Sequence, residues 1–272
     1  MLTKLISHEW KDTFKVPALL LTITVLLSAA SLVYFSVADQ ASAGTDLNVR
    51  NFVLYIACIL ILSGLSMILM IYFTIRFYKN LYTDEGYLMF TLPVTTGQLI
   101  WSKMIVSAVW LLATAAMDVL SMFISVFDSA AWRDIFQLPG LLWQQLREYA
   151  GNLGLIPAEL VVLVLLAALV CFLKFYAAIA LGHSFTNRKM LLSVAFFAAF
   201  SVVEQIAASA GLIGFASVGI PRSWLRGAVG TMDYYAASAQ MALGGAILAV
   251  VLYGAVYYAV TYLSLKKRLN LQ

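Results

Sequence analysis

The chain has 272 residues, of which 63% are hydrophobic and only 11% are charged. Soluble domains are about half apolar and a quarter charged, so this composition excludes an ordinary soluble protein and indicates an integral membrane protein. The formal net charge of +4 is small, and it is informative only through the placement of the basic residues along the chain. No large polar block interrupts the apolar pattern, which predicts a single transmembrane domain over residues 1–272.

Residues 1–15 predict an amphipathic helix that lies in the membrane interface. The apolar side chains fall on one broad face at helical spacing: Leu2, Leu5, Ile6, Trp10 and Phe14. The basic side chains recur every three or four residues on another face: Lys4, His8, Lys11 and Lys15. This combination is typical of an interfacial helix. The alternative interpretation is a basic flank of the first span.

Six apolar runs approach the ~20 residues that a helix needs to cross a bilayer. They cover approximately residues 17–38, 52–73, 104–126, 157–181, 190–206 and 239–263. The chain is therefore predicted to be all-α, with six transmembrane helices and both termini on one side.

The distribution of Lys and Arg predicts which side that is. Of the 17 basic residues, 11 lie in the terminal segments and the loops on their side: Lys4, Lys11, Lys15, Arg76, Lys79, Lys103, Arg188, Lys189, Lys266, Lys267 and Arg268. Five lie in the opposite loops: Arg50, Arg133, Arg147, Arg222 and Arg226. Because Lys and Arg accumulate on the cytoplasmic side, both termini are predicted to be cytoplasmic. The same pattern predicts a multi-pass protein of the cell membrane.

Two polar stretches, residues 128–152 and 207–238, are predicted to be extracytoplasmic loops. The first contains two tryptophans, which favour a membrane interface. The second contains five glycines and Pro221, which is consistent with a segment that dips back into the membrane. Ordinary loops are the alternative for both.

The segment from Arg76 to Lys103 is the longest polar interruption on the predicted cytoplasmic side. Thr83, followed by two acidic residues, predicts a short helix, because a threonine caps free amides and acids complement the helix dipole. That helix should end before Pro93. Thr95 and Gln98 have the spacing of a capping box that starts the next helix.

The sequence EGYLMFTLPVTTGQLIWSK in this segment resembles the cytoplasmic loop of ABC-2-type exporter permeases. The six spans, the interfacial helix and the cytoplasmic termini resemble the same family. The resemblance implies that the loop contains a coupling helix, which docks on a separate ATP-binding subunit. By position, the contact residues would be Asp84, Glu85, Gly86, Tyr87, Leu88, Met89 and Phe90, with Pro93 setting the turn back to the membrane. It also implies a second permease, either identical or different.

The sequence contains no G-x-x-x-x-G-K-[ST] phosphate-binding loop, so this chain is not expected to bind ATP by that route. We therefore expect the chain itself not to be an enzyme and to bind no cofactor, with ATP and Mg²⁺ held by the partner subunit. The remaining expected partner is the lipid bilayer, and no nucleic acid is expected.

Four ionisable residues lie within or near the predicted spans: Asp118, Glu159, Lys174 and Glu204. Inserting one such charged residue at the bilayer centre costs a free energy of about 2.5–3.5 kcal/mol, so these residues usually face protein or water. The three carboxylates are candidates for a translocation path. The alternative is structural pairing, for example of Asp118 with Lys174.

Three other functions are consistent with a multi-pass chain. His183 and Asn187 have a spacing found in one class of intramembrane protease, but the paired glutamates and second buried histidine of that class are missing. A non-transporting immunity or binding protein for a toxic peptide would not need the docking loop. A secondary transporter often contains internal repeats, and no convincing repeat is present.

Overall fold

The structure of the protein is a computed structural model. It describes residues 2–41, 47–83, 93–126, 155–185, 188–218 and 231–267, and the single residues 86, 89 and 91. Seven helices occupy these ranges: α1 (Leu2–Thr13), α2 (Lys15–Ala41), α3 (Leu47–Tyr82), α4 (Thr96–Val126), α5 (Ile156–Gly182), α6 (Lys189–Val218) and α7 (Thr231–Lys267). The described part of the chain contains no β-strand. The all-α prediction is confirmed.

Five of these helices contain segments that are long and apolar enough to cross a membrane: Ile59–Tyr82, Thr96–Ser121, Ile156–Gly182, Lys189–Gly214 and Ser238–Lys266. Helix α1 and the Lys15–Ser31 part of α2 form a bent pair, with an angle of 55°, that would be a sixth span. Length and composition therefore give five to six membrane-spanning helices, which confirms a multi-pass membrane protein.

Several helices continue beyond the apolar runs that identified them. Helix α3 passes through Arg76 and Lys79 to Tyr82, because a charged side chain limits how far a segment enters lipid but does not interrupt helical backbone hydrogen bonds. Helix α6 likewise continues through Gly211 and Gly214 to Val218, since a glycine costs a helix only about 1 kcal/mol.

The two predicted outer loops differ in how much of them is described. In the segment 207–238, residues 207–218 and 231–238 are helical. Residues 219–230 of that segment, and all of the predicted loop 128–152, lie outside the described residues.

The chain divides into two compact units. The first unit contains residues 1–76 and 101–141, and the second contains residues 77–100 and 142–272. In the first unit, α1 packs on α4 through aromatic rings. The ring of Trp10 stacks on that of Trp110 with a centroid distance of 4.7 Å, and Phe14 meets the same ring edge-on at 5.8 Å. Large aromatic contacts of this kind fix the position of the short N-terminal helix.

In the second unit, α5 packs against both α6 and α7. Small residues permit close approach at two points. A Cβ atom at Gly182 would lie 2.6 Å from the backbone nitrogen of Ser193, and one at Gly254 would lie 2.8 Å from Val170. Helices within membranes commonly pack through such residues, because they bring backbones into van der Waals contact.

Candidate functional site

The start of α4 contains the predicted capping box. The backbone N–H of Gln98 donates to Oγ1 of Thr95 at 3.4 Å, and the backbone N–H of Thr95 donates to Oε1 of Gln98 at 3.2 Å. The two side chains thereby satisfy two amide groups that the helix leaves free. The segment 76–103 therefore contains a defined helix start at Thr96.

Replacing Thr95 by Ala should destabilise the protein by about 1 kcal/mol, because the cap of α4 loses its acceptor. Thermal unfolding of the purified protein in detergent measures this effect. Thr95→Ser keeps the hydroxyl and serves as the matched control. Equal unfolding temperatures for the Ala variant and the wild type would show that the capping box does not stabilise α4.

The described residues at the other end of the segment form the end of α3 and a turn. The hydroxyl of Thr83 donates to the carbonyl oxygen of Lys79, and the N–H of Gly86 donates to the Thr83 carbonyl oxygen at 2.8 Å. Gly86 is buried, and Met89 is half-buried in a helical conformation. Pro93 lies in an exposed bend. The other residues expected to contact an ATPase lie outside the described residues: Asp84, Glu85, Tyr87, Leu88 and Phe90.

His183 packs against the end of α3. Its ring lies 5.0 Å from the ring of Tyr78 and 4.9 Å from the ring of Tyr82, measured between centroids. Its Nδ1 hydrogen donates to the carbonyl oxygen of Ile179 at 2.9 Å. Burial lowers the pKa of His183 below its usual value, so the neutral ring is favoured. Asn187, which was paired with this histidine in the protease interpretation, lies outside the described residues.

A cluster of four charged residues joins α1 to α3 and α4. Glu9 accepts a hydrogen bond from Nε of Arg76 at 3.1 Å, and its two oxygens lie 3.2 and 3.1 Å from Nζ of Lys103. Arg76 also donates through Nη2 to Asp12. We call these four residues the Glu9 cluster. Its two basic members, Arg76 and Lys103, are the first and last residues of the segment 76–103.

The Glu9 cluster is largely removed from water. Only 4% of the Lys103 side chain and 10% of the Glu9 side chain are exposed, whereas Asp12 is 59% exposed. Buried charges are tolerated when they are paired and hydrogen-bonded, and two acids here balance two bases. The carboxylate of Glu9 thus holds a buried ammonium group and the Arg76 guanidinium at the same time.

The sequence pattern of α1 predicts a polar face of lysines but not the Glu9 cluster, because it gives the two acids of the helix no partner. A signal was present, since Glu9 and Asp12 are the two acidic residues of α1 and both lie off the lysine face. Their partners, however, are more than 60 residues away in sequence, and one-dimensional spacing contains no information on that pairing.

A second polar cluster lies within the membrane-spanning part of the second unit. Nζ of Lys174 in α5 donates to Oε2 of Glu204 in α6 at 2.5 Å, and Oη of Tyr257 in α7 donates to the other carboxylate oxygen at 2.6 Å. Nζ of Lys174 also lies 4.9 Å from the ring centroid of Phe197. We call the first three residues the Lys174 triad. It connects all three helices through a single carboxylate.

The triad changes the pairing suggested from sequence. Lys174 pairs with Glu204, and Asp118 instead accepts a hydrogen bond from the hydroxyl of Ser66. The suggested pair of Asp118 with Lys174 is therefore wrong. Spacing along the chain could place both residues within spans, but it could not identify which of three carboxylates would meet the lysine.

The remaining carboxylates have one oxygen each without a hydrogen bond to a described residue. These atoms are Oδ1 of Asp118 and Oε2 of Glu159, and both atoms are buried. Glu159 lies 15 residues before Lys174 in α5, which is about 22 Å along the helix axis. The structure therefore does not bring Glu159 into the Lys174 triad.

Comparison of the chain with protein-family models, curated proteins and solved structures finds no match. The membrane-spanning helices, the two polar clusters and the segment 76–103 are therefore the features that bear on function.

Proposed function

We propose that the protein is the membrane-spanning permease subunit of an ATP-driven exporter of the ABC-2 type. The observation that supports this proposal best is the capped restart of α4 directly after Pro93. The segment 76–103 lies between the two long apolar helices α3 and α4, and the capping box fixes the first turn of α4. This arrangement suits a loop that receives force from a partner and transmits it into the membrane.

In this proposal the chain hydrolyses nothing. A separate ATP-binding subunit, with ATP and Mg²⁺, docks on residues 84–90, and two permease subunits, identical or different, form the pathway between them. Movement of the docked loop would displace α4 as a unit, because its first turn is held by the capping box. The cell membrane is the proposed location.

The candidates for a translocation path differ in their surroundings. Both oxygens of Glu204 accept hydrogen bonds from Lys174 and Tyr257, so this carboxylate is engaged within its own unit. Asp118 and Glu159 each retain a buried oxygen without a described hydrogen-bond donor. A polar cargo or an accompanying proton would find an acceptor at those two residues, and we favour them over Glu204 for the path.

Affinity purification from the native membrane, followed by mass spectrometry, tests the proposal. We expect a soluble ATPase to be recovered with the wild-type chain. The amount of ATPase recovered should fall at least ten-fold when Tyr87→Ala, Leu88→Ala and Phe90→Ala are combined. Large apolar side chains at the centre of an interface contribute most of its binding energy, which gives the expected direction and size.

A matched control removes three exposed apolar side chains from α5 instead, by combining Leu160→Ala, Val161→Ala and Val164→Ala. This control should retain the ATPase. Equal recovery of an ATPase with both triple variants would contradict the assigned docking residues. Recovery of the chain alone, or only with a peptide, would contradict the exporter and support a non-transporting immunity or binding protein.

A further inference from the structure

Helix α1 presents a row of basic side chains away from the protein. Lys4, His8, Lys11 and Lys15 follow one another at intervals of four, three and four residues, and all four are exposed. Glu9 lies about 140° around the helix from Lys4 at 100° per residue, and it is buried together with Thr13. The helix thus contacts the protein through one face and turns its basic residues outward on the other.

The acids of α1 do not neutralise this row. Glu9 is engaged by Arg76 and Lys103, and Asp12 is engaged by Arg76. Among the described residues, no salt bridge involves the three lysines of the row. Pairing inside the protein therefore leaves α1 with an outward face of net positive charge.

The position of the row favours a membrane surface as its occupant. Helix α1 leaves the axis of α2 at 55° within a few residues of Lys15. Phe14 at this bend is 49% exposed, and Leu19 and Leu26 in the following helix are 60% and 64% exposed. Exposed apolar side chains on a membrane-spanning helix contact lipid tails, so the basic row lies beside the headgroup layer that covers those tails.

We propose that this row binds the headgroups of anionic phospholipids, and that bound lipid stabilises the Glu9 cluster by holding α1 in place. The chemistry is complementary, because clusters of Lys beside a membrane span are attracted to anionic headgroups. Arg76 and Lys103 are held by the other face of the same helix. Anionic lipid would thereby stabilise both ends of the segment 76–103. This inference does not depend on the exporter proposal.

Thermal unfolding of the full-length protein in nanodiscs tests the inference. One set of discs contains phosphatidylcholine alone, and the other contains phosphatidylcholine with 30% phosphatidylglycerol. We expect the anionic discs to raise the unfolding temperature of the wild type by about 5 °C. Combining Lys4→Gln, Lys11→Gln and Lys15→Gln should remove most of this increase, and 1 M NaCl should reduce it in the wild type.

Two further variants make the test specific. Replacing the same three lysines by Arg keeps the charge and should keep the increase. Combining Lys79→Gln with Lys266→Gln removes exposed charges elsewhere and should leave the increase unchanged. If the triple Gln variant does not fold in either disc, the amount of phosphatidylglycerol that co-purifies with Lys11→Gln is measured, and at least a two-fold loss relative to wild type is expected.

Two outcomes would overturn the inference. The first is an unfolding temperature that is the same in both discs, and the second is an increase that the triple Gln variant retains. If Lys11→Gln is used in place of the triple variant, an amount of co-purified phosphatidylglycerol equal to that of the wild type also counts against the inference.

Discussion

Replacing Glu204 by Leu should destabilise the protein by about 3–5 kcal/mol, the range found when one member of a buried ion pair is removed. The ammonium group of Lys174 would lose its carboxylate within the membrane-spanning part of the second unit, where only 15% of that side chain is exposed. The hydroxyl of Tyr257 would lose its acceptor as well. Thermal unfolding in a mild detergent measures the loss of stability.

The double variant Lys174→Met with Glu204→Leu is the matched control for this prediction. It removes both charges and fills similar volumes with apolar atoms, so it should recover most of the lost stability. A double variant as unstable as Glu204→Leu alone would show that the carboxylate acts through something other than its pairing with Lys174. A single variant as stable as the wild type would show that the triad does not stabilise the packing of α5, α6 and α7.

Glu9→Gln should destabilise the first unit by about 3 kcal/mol and should release α1. The substitution preserves the shape of the side chain but removes the charge that pairs with Lys103, whose side chain is 4% exposed, and with Arg76. Thermal unfolding gives the change in stability. Hydrogen–deuterium exchange should show faster exchange of the amides in Leu2–Thr13, because the helix loses its attachment to α3 and α4.

Asp12→Asn is the matched control for Glu9→Gln. It makes the same change of charge in the same helix and removes an ion pair with the same arginine, but the Asp12 side chain is 59% exposed. Exposed ion pairs contribute at most about 1 kcal/mol, so this variant should be close to the wild type. Equal effects of the two substitutions would refute the claim that burial makes Glu9 the central member of its cluster.

The features that sequence predicted well are the local ones. Apolar runs identified the spanning helices, because a bilayer core demands about 20 consecutive apolar residues and tolerates few charges. The capping box of Thr95 and Gln98 is also local, since both partners belong to one helix turn and their spacing is set by helix geometry.

The features that sequence missed are the ones that depend on which helices meet. Lys174 had three carboxylates within or near the spans as potential partners, and only the packing of α5 against α6 selects Glu204. The position of Glu9 off the lysine face distinguished it from the basic residues of α1, but its partners could not be identified, because they come from two later helices. Helix ends were also misjudged, as in α6, where the apolar run stops at Ile206 and the hydrogen-bonded helix continues to Val218.

The 94 residues that separate Glu9 from Lys103 have a consequence for the order of events during synthesis. At about 5–20 residues per second, translation needs roughly 5–20 s to add Lys103 after Glu9 has been made. Until Arg76 has been made the Glu9 carboxylate lacks both basic partners and must remain hydrated, and until Lys103 has been made it lacks its buried ammonium partner. Helix α1 therefore cannot complete its docking on α3 and α4 during early membrane insertion. It completes this docking only after the start of α4 has been made.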